Sequence, residues 1–310
     1  MTSASRLFCL DSVLVDVVLK VSRLPERAGD VRASGQLITT GGGFNAMSAA
    51  ARHGMAVVYA GRLGTGPFAT LATAALGREG VTAPVERNAD LDTGICVVLL
   101  QPDGERTFVT SAGAESTLRG NDLTALEVGP EDFVLVSGYN VMYQGLADVV
   151  LDWLESLPAA TTVAFDPASR MVDVPPDNLA VALEHADWLL CNAAEARQLS
   201  GCDDVLAAAT ALASRRKDRG VVVRDGARGC VVATNPTDVT AVAGFATTVV
   251  DTNGAGDVHN GVLLAEIARG QNAHEAARWA NAAAAMAIAR FGPATGPTRG
   301  EVAAWLAGSL

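Results

Sequence analysis

Residues 133–223 set the narrowest limits on the fold. Apolar runs at 133–136, 162–165, 188–190 and 221–223 alternate there with helical stretches at 146–157, 179–185, 193–199 and 205–215. Short runs without a polar face read as strands covered on both sides. Their alternation with helices requires parallel strands with helices on both faces of the sheet. Ligands of such open sheets sit beyond the carboxyl ends of the strands, and there this chain places its polar residues.

The chain has 310 residues, enough for one large α/β domain or two smaller ones. Although 49% of it is apolar, no uninterrupted run approaches the roughly 20 residues of a membrane span. The start, Met1-Thr2-Ser3-Ala4-Ser5-Arg6, offers no small-residue cleavage site, so a cytoplasmic protein is expected. A net charge of −11 without a basic stretch argues against nucleic acid or an anionic membrane as partner. The basic knot Arg215-Arg216-Lys217 reads as the solvated end of a helix. Cys9, Cys96, Cys191, Cys202 and Cys230 are odd in number, widely spaced and without a Cys-x-x-Cys pair, so they read as small buried apolar residues.

The chemistry concentrates in Asp251-Thr252-Asn253-Gly254-Ala255-Gly256-Asp257, between apolar runs at 245–250 and 258–268. It reads as strand, tight glycine turn and helix. Gly254, Ala255 and Gly256 let the first N–H groups of the helix converge on one small space, which attracts an anion. Asp257 falls in the first helical turn, where a carboxylate can take the proton of a hydroxyl attacking a bound phosphate. On these seven residues alone, a plain connection capped by Asp257 is the competing reading.

Earlier in the chain, 7–10 and 13–19 read as a buried strand and its continuation, interrupted by Asp11 and Asp16. A carboxylate in such a stretch is costly to bury unless something hydrogen-bonds it, so Asp16 is a candidate to hold ligand hydroxyls. Gly41, Gly42 and Gly43 precede the helix at 46–53, and Asn45 supplies a donor and an acceptor at its start. A simple Asn cap is the alternative there. The glycines around 61–66 lack dinucleotide-fingerprint spacing, and no acidic residue closes a following strand. Residues 92–109 read as a hairpin, from which Arg106 either reaches a ligand oxyanion or hydroxyl or stays an exposed cross-strand charge.

Taken in order, these elements resemble the ribokinase family of sugar and nucleoside kinases. The resemblance rests on Asp16, on Pro25 with Gly29, on Gly41 with Asn45, on Asn192 with Glu195, and on Asp251-Thr252-Asn253-Gly254-Ala255-Gly256-Asp257 followed by Gly261, and it spans residues 16–296. It implies a three-layer α/β fold with a central, mostly parallel sheet and a small β lid near 14–38 and 93–112. It further implies ATP and Mg2+, a sugar held under the lid by Asp16, Gly41, Gly42, Asn45 and Arg106, and Asp257 as general base.

The resemblance also assigns nucleotide contacts to Asn192, Glu195, Arg224, Gly226, Gly229 and Asn281, with Glu195 organising Mg2+ through water. Asn192 and Glu195 equally form a capping box. In relatives that bind K+ or another monovalent cation, the ion is surrounded by groups matching Asp251, Asn253, Ala287, Arg290, Gly292 and Gly296. A homodimer formed through the lid is also implied.

Departures bear on the substrate. Leu14 and Gly42 replace polar residues of ribokinase itself, making ribose less favoured, and Gly66 and Ala69 depart from the family's second conserved block. His259 replaces a common phenylalanine, as a packing change or a nucleotide contact. Phe44, Tyr139 and Tyr143 could stack on a ligand, although core packing suits each. Furanoses, hexoses, sugar acids and nucleosides stay open as substrates. A silent sugar- or nucleotide-binding regulator on the same fold is the alternative of another class, but it would have no use for Asp257.

Overall fold

The computed structural model describes residues 5–216 and 219–308. In chain order its strands and helices are β1 (Arg6–Cys9), β2 (Val13–Lys20), β3 (Gly35–Gly42), α1 (Phe44–Arg52), β4 (Ala56–Tyr59), α2 (Pro67–Arg78), β5 (Ile95–Leu100), β6 (Arg106–Ser111) and α3 (Gly120–Thr124). They continue with β7 (Phe133–Ser137), α4 (Gln144–Glu155), β8 (Thr162–Asp166), α5 (Pro176–His185), β9 (Trp188–Asn192), α6 (Ala193–Ser200), α7 (Val205–Ser214), β10 (Gly220–Arg224), β11 (Gly229–Asn235), β12 (Asp238–Ala243), α8 (Ala255–Ala268), α9 (Ala273–Ile288) and α10 (Arg299–Gly308).

Eight strands form the main sheet in the order β12-β11-β10-β9-β8-β7-β1-β4, parallel except that β11 runs against both neighbours. Period-two alternation divides each strand between two cores. Leu7 and Cys9 join one with residues of α1, α2, α8 and α9, while Phe8 and Leu10 join the other with residues of α4, α6 and α7. Both faces are therefore helix-covered, which is why these strands lack a polar face.

β2, β3, β5 and β6 form a separate four-stranded sheet in the order β3-β2-β5-β6. Here the sequence expectation needs correcting: β2 does not continue β1 but belongs to the other sheet. The break lies at Asp11, whose Oδ1 accepts from the N–H of Ser12 and from the hydroxyl of Ser137, turning the chain out of the main sheet. The run 245–250 is likewise not a strand. The last strand ends at Ala243, Val249 and Val250 are exposed, and the Val250 N–H donates to the Ile288 carbonyl. The expected solvated basic knot is also corrected: Arg216 is buried and donates to the carbonyls of Leu183 and Ala186 near the end of α5, an arrangement that favours a cation. Lys217 lies outside the described residues.

Cys9, Cys96, Cys191 and Cys230 are buried free thiols, and Cys202 is half-buried and free. Among the described residues, no helix is long and apolar enough to cross a membrane.

The contact that positions the site is the one between α1 and α8. A Cβ on Gly261 would collide with the carbonyl oxygen of Ala46, so the two helices meet backbone to backbone there. Gly261→Ala is expected to destabilise the protein by about 1–3 kcal/mol, because a methyl forced into a full interior must push the helices apart. A lower denaturation midpoint at unchanged slope would register it, and an unchanged midpoint would contradict it.

Candidate active site

β1, β7, β8, β9 and β10 all end on the same edge of the main sheet, followed or closed by Asp11, Ser137, Asp166, Asn192 and Arg224. β1 lies between β7 and β4, so the chain order reverses direction beside it, and such a switch point opens a crevice. The opening turn of α8 and the start of α1 line the same space.

Gly254 caps α8 in the left-handed conformation with φ 74°, which a side chain rarely adopts, and a Cβ there would also crowd the Asn45 amide at 3.0 Å. The turn thus begins with N–H groups that no helix carbonyl can satisfy. Asp257 is held in it by Asn45, whose Nδ2 donates to Oδ2 at 2.9 Å. Burial, reinforced by the negative charge of Asp11, pushes the Asp257 carboxyl up to about 7, against the hydrogen bond from Asn45. Asn45 Oδ1 is buried without a hydrogen-bond partner. An acceptor in that state calls for a donor, such as a ligand hydroxyl.

Asp16 stands on β2 opposite Thr39, and its carboxylate lies so close to Gly41 that any Cβ there would overlap it. Burial raises its carboxyl to about 6, while the Asn253 side chain opposes the shift. Asp16 is thereby brought beside the signature turn. Gly42 closes β3 opposite Val13. Arg106 does not stand free over this space: its guanidinium pairs with Asp251 and reaches Thr252 Oγ1 at 3.5 Å.

Arg224 lies against the first turn of α8, its Nε 3.4 Å from where a Cβ of Gly256 would be. Its Nη2 donates to Asp166 Oδ2 at 3.0 Å and its Nη1 to Asn260 Oδ1, while Asn260 Nδ2 donates to the same Asp166 oxygen at 2.6 Å. Asn192 and Glu195 form a full capping box on α6. Asn192 Oδ1 accepts from the N–H groups of Ala194 and Glu195, and Glu195 accepts from the Asn192 N–H at 2.8 Å and from its amide at 2.6 Å. Burial, then Asp166, raise the Glu195 carboxyl. Gly226 and Gly229 flank the turn from β10 to β11, where Arg228 pairs with Asp225.

Asn281 donates its amide to the carbonyls of Val242 and Ala243, and its Oδ1 meets His259 Nε2 at 3.2 Å, so the side chain is tied to β12 and α8. Alanines around it bring α9 close to β11 and β12, and a buried amide there must be satisfied by neighbours. His259 is buried beside it, and burial lowers its imidazole to about 3, so the ring is neutral packing material. Phe44 is core, the Tyr139 hydroxyl meets Ser169 Oγ, and Tyr143 is exposed.

Three contributors escaped the sequence reading: Asp11, Asp166 and Asn260. Asp11 is raised to about 6 by burial against the Ser137 hydrogen bond, with Asp166 adding to the rise. The available signal was a carboxylate within or at the end of an apolar strand, used at Asp16 but not at Asp11 or Asp166. Asp92 is structural, accepting from the N–H groups of Phe68 and Ala69 at the start of α2.

A buried carboxylate of raised pKa at the opening of a helix, held by an amide whose oxygen lacks a donor, is chemistry suited to transferring an anionic group to a hydroxyl. The comparisons agree with that class. The model of the pfkB family carbohydrate kinases matches residues 4–299, and the chain belongs to this family. It is a sugar kinase, a phosphotransferase with an alcohol group as acceptor.

Among its relatives is the uncharacterized sugar kinase YegV of Escherichia coli (strain K12), 29% identical over 97% of this chain and 94% of its own length. An ATP-dependent ribose-1-phosphate kinase of Halopiger xanaduensis is 31% identical over 94% of each. The crystal structure of a putative ribokinase II from E. coli, in complex with ATP and Mg2+, has a TM-score of 0.83 at 22% identity, covering 98% of this chain and 99% of that one. This last likeness is one of fold.

Proposed function

We propose that the enzyme moves the γ-phosphoryl group of ATP to a hydroxyl of a small sugar or sugar-like acceptor, with Asp257 as general base. The observation that carries this reading is the Asp257 carboxylate, buried in the first turn of α8, held by Asn45 and raised to about 7. A base with that value is ionised for a large fraction of the time at neutral pH yet still basic enough to take a hydroxyl proton. Asn45 orients it and offers its orphaned Oδ1 to the acceptor, and Asp16 takes further acceptor hydroxyls. N–H groups of Gly254, Ala255 and Gly256 stabilise negative charge on the transferring group, and Arg224 adds a fixed cation beside them.

The chemistry of the residues fits Mg2+–ATP. Among the described residues no cluster of three or more His, Cys, Asp or Glu side chains could enclose a metal. Mg2+ commonly keeps its water and takes one or two carboxylates plus phosphates, for which Glu195, through water, is the resident candidate. Bound there, the ion supplies charge neutralisation on the phosphates. Asn192 holds Glu195 in place, and the turn at Gly226 and Gly229 leaves backbone room for the nucleotide. The one reported relative named for ATP dependence and the fold shared with an ATP-bound structure support the choice of donor.

The pH dependence of kcat/KM tests the base. Asp257 must be deprotonated to act, so activity is expected to fall as pH drops through about 7. Asp11 titrates nearby, so the limb belongs to the coupled pair. Asp11→Asn removes a neighbouring negative charge, lowers the Asp257 pKa and moves the acid limb to lower pH. An acid limb that stays in place in this variant would contradict the assignment.

A further inference from the structure

The carboxylate of Asp251 is buried next to the glycine turn, and a buried carboxylate needs a positive or hydrogen-bonding partner. The resemblance assigned that role to a monovalent cation held by Asp251, Asn253 and the backbone carbonyls of Ala287, Arg290, Gly292 and Gly296. The described residues fit such an ion poorly. Asp251 Oδ1 is engaged by the Arg106 guanidinium and, at 2.8 Å, by the Asn253 N–H, and its Oδ2 accepts from the Gly292 N–H at 3.1 Å.

Two of the four carbonyls in that set, those of Ala287 and Gly296, are engaged as well. Gly296 O accepts from Arg52 Nη1 at 2.6 Å, and Ala294 O accepts from the same nitrogen at 2.8 Å. Ala287 O accepts from the Thr295 hydroxyl at 3.0 Å. Arg52 is itself clamped by both oxygens of Glu79, so its charge is fixed there. An ion on Gly296 O would lie beside one guanidinium, and an ion on Asp251 Oδ1 beside another. At such distances like charges repel strongly in a partly buried site.

We infer that Arg106 replaces the monovalent cation: it compensates Asp251 and orders the Asp251–Gly254 approach to the glycine turn, so phosphoryl transfer by this enzyme is independent of K+. Arg106 opens β6 in the small sheet, where it pairs with Leu100, so the compensating charge comes from the same sheet that carries Asp16. The small sheet is tied to the loop after α9 as well. Lys20 lies 4.4 Å from the Phe291 ring centroid, and a Cβ at Gly292 would touch Leu37 at 3.3 Å. Sheet and turn therefore form one charge-linked unit. Arg106 is a positioning residue, acting through Asp251 on the turn and not on the acceptor.

The inference rests on the kinase reading, and its test separates the two. Initial rates of the full chain with ATP and Mg2+ are compared in potassium, sodium and tetramethylammonium salts at equal ionic strength. The wild type is expected to agree across the three to within about twofold, and a saturable several-fold activation by K+ would overturn the proposal. Arg106→Gln is expected to lower kcat by about tenfold or more, with a smaller change in acceptor KM, and Arg106→Lys to recover part of the loss because an ammonium can still meet Asp251. Full kcat in Arg106→Gln would overturn it too. Melting temperatures in the same salts give a readout that needs no turnover: equal values for the wild type support the inference, and a K+-specific rise contradicts it. Absence of turnover with every acceptor would count against the kinase reading alone.

Discussion

Asp257→Asn is expected to reduce kcat by about 10²–10⁴-fold while leaving the protein folded, the range associated with losing a positioned general base. The substitution keeps the shape and removes only the proton acceptor, so acceptor and nucleotide binding should change far less than turnover. Stability should not fall. Burial raises the folded pKa of Asp257 to about 7, above its ordinary carboxylate value near 4. Between those values the folded state binds more protons than the unfolded state, so this group makes the protein less stable as pH rises. Asparagine carries no such penalty at neutral pH. A well-folded variant that turns over like the wild type would remove Asp257 from the mechanism.

Arg224→Ala should lower kcat/KM by about 10²-fold, comparable to losing one preorganised donor at a transferring charged group. A second effect distinguishes it from simple damage. Arg224 now pairs with Asp166 and lowers the Asp257 pKa. Without it, the carboxylates Asp166 and Asp257 lose their shared cation. The Asp257 pKa therefore rises, and the acid limb of kcat/KM shifts to higher pH, opposite to the shift expected for Asp11→Asn. A loss of activity with an unmoved limb would assign Arg224 a purely structural role.

The layered architecture was legible because its strands are buried on both faces. At 133–223 the boundaries between apolar runs and helical stretches follow the observed β7–β10 and α4–α7 closely. The partnership of Asn45 and Asp257 was legible only as two separate motifs, since they are 212 positions apart in sequence and the contact depends on Gly261 letting α1 and α8 touch. The pairing of Arg106 with Asp251 had no local trace either, the two being 145 positions apart. A hairpin arginine looks the same whether it meets a ligand or a distant carboxylate.

The partners of Asn281 were hidden for a related reason: an amide on an alanine-rich helix gives no sign in sequence of which face it occupies, and here it meets the Val242 and Ala243 carbonyls. The run 245–250 had strand composition but no partner strand, because β12 ends at Ala243 and the chain then crosses toward the end of α9.

The measurement that tests the central claim most directly is acceptor-dependent release of ADP from Mg2+–ATP, with neutral sugars, sugar acids and nucleosides as acceptors, run beside Asp257→Asn. The account predicts rapid release with at least one hydroxyl-bearing acceptor and its near-complete loss in the variant. Ligands that raise the melting temperature without any ADP release, or release that survives in Asp257→Asn, would contradict it.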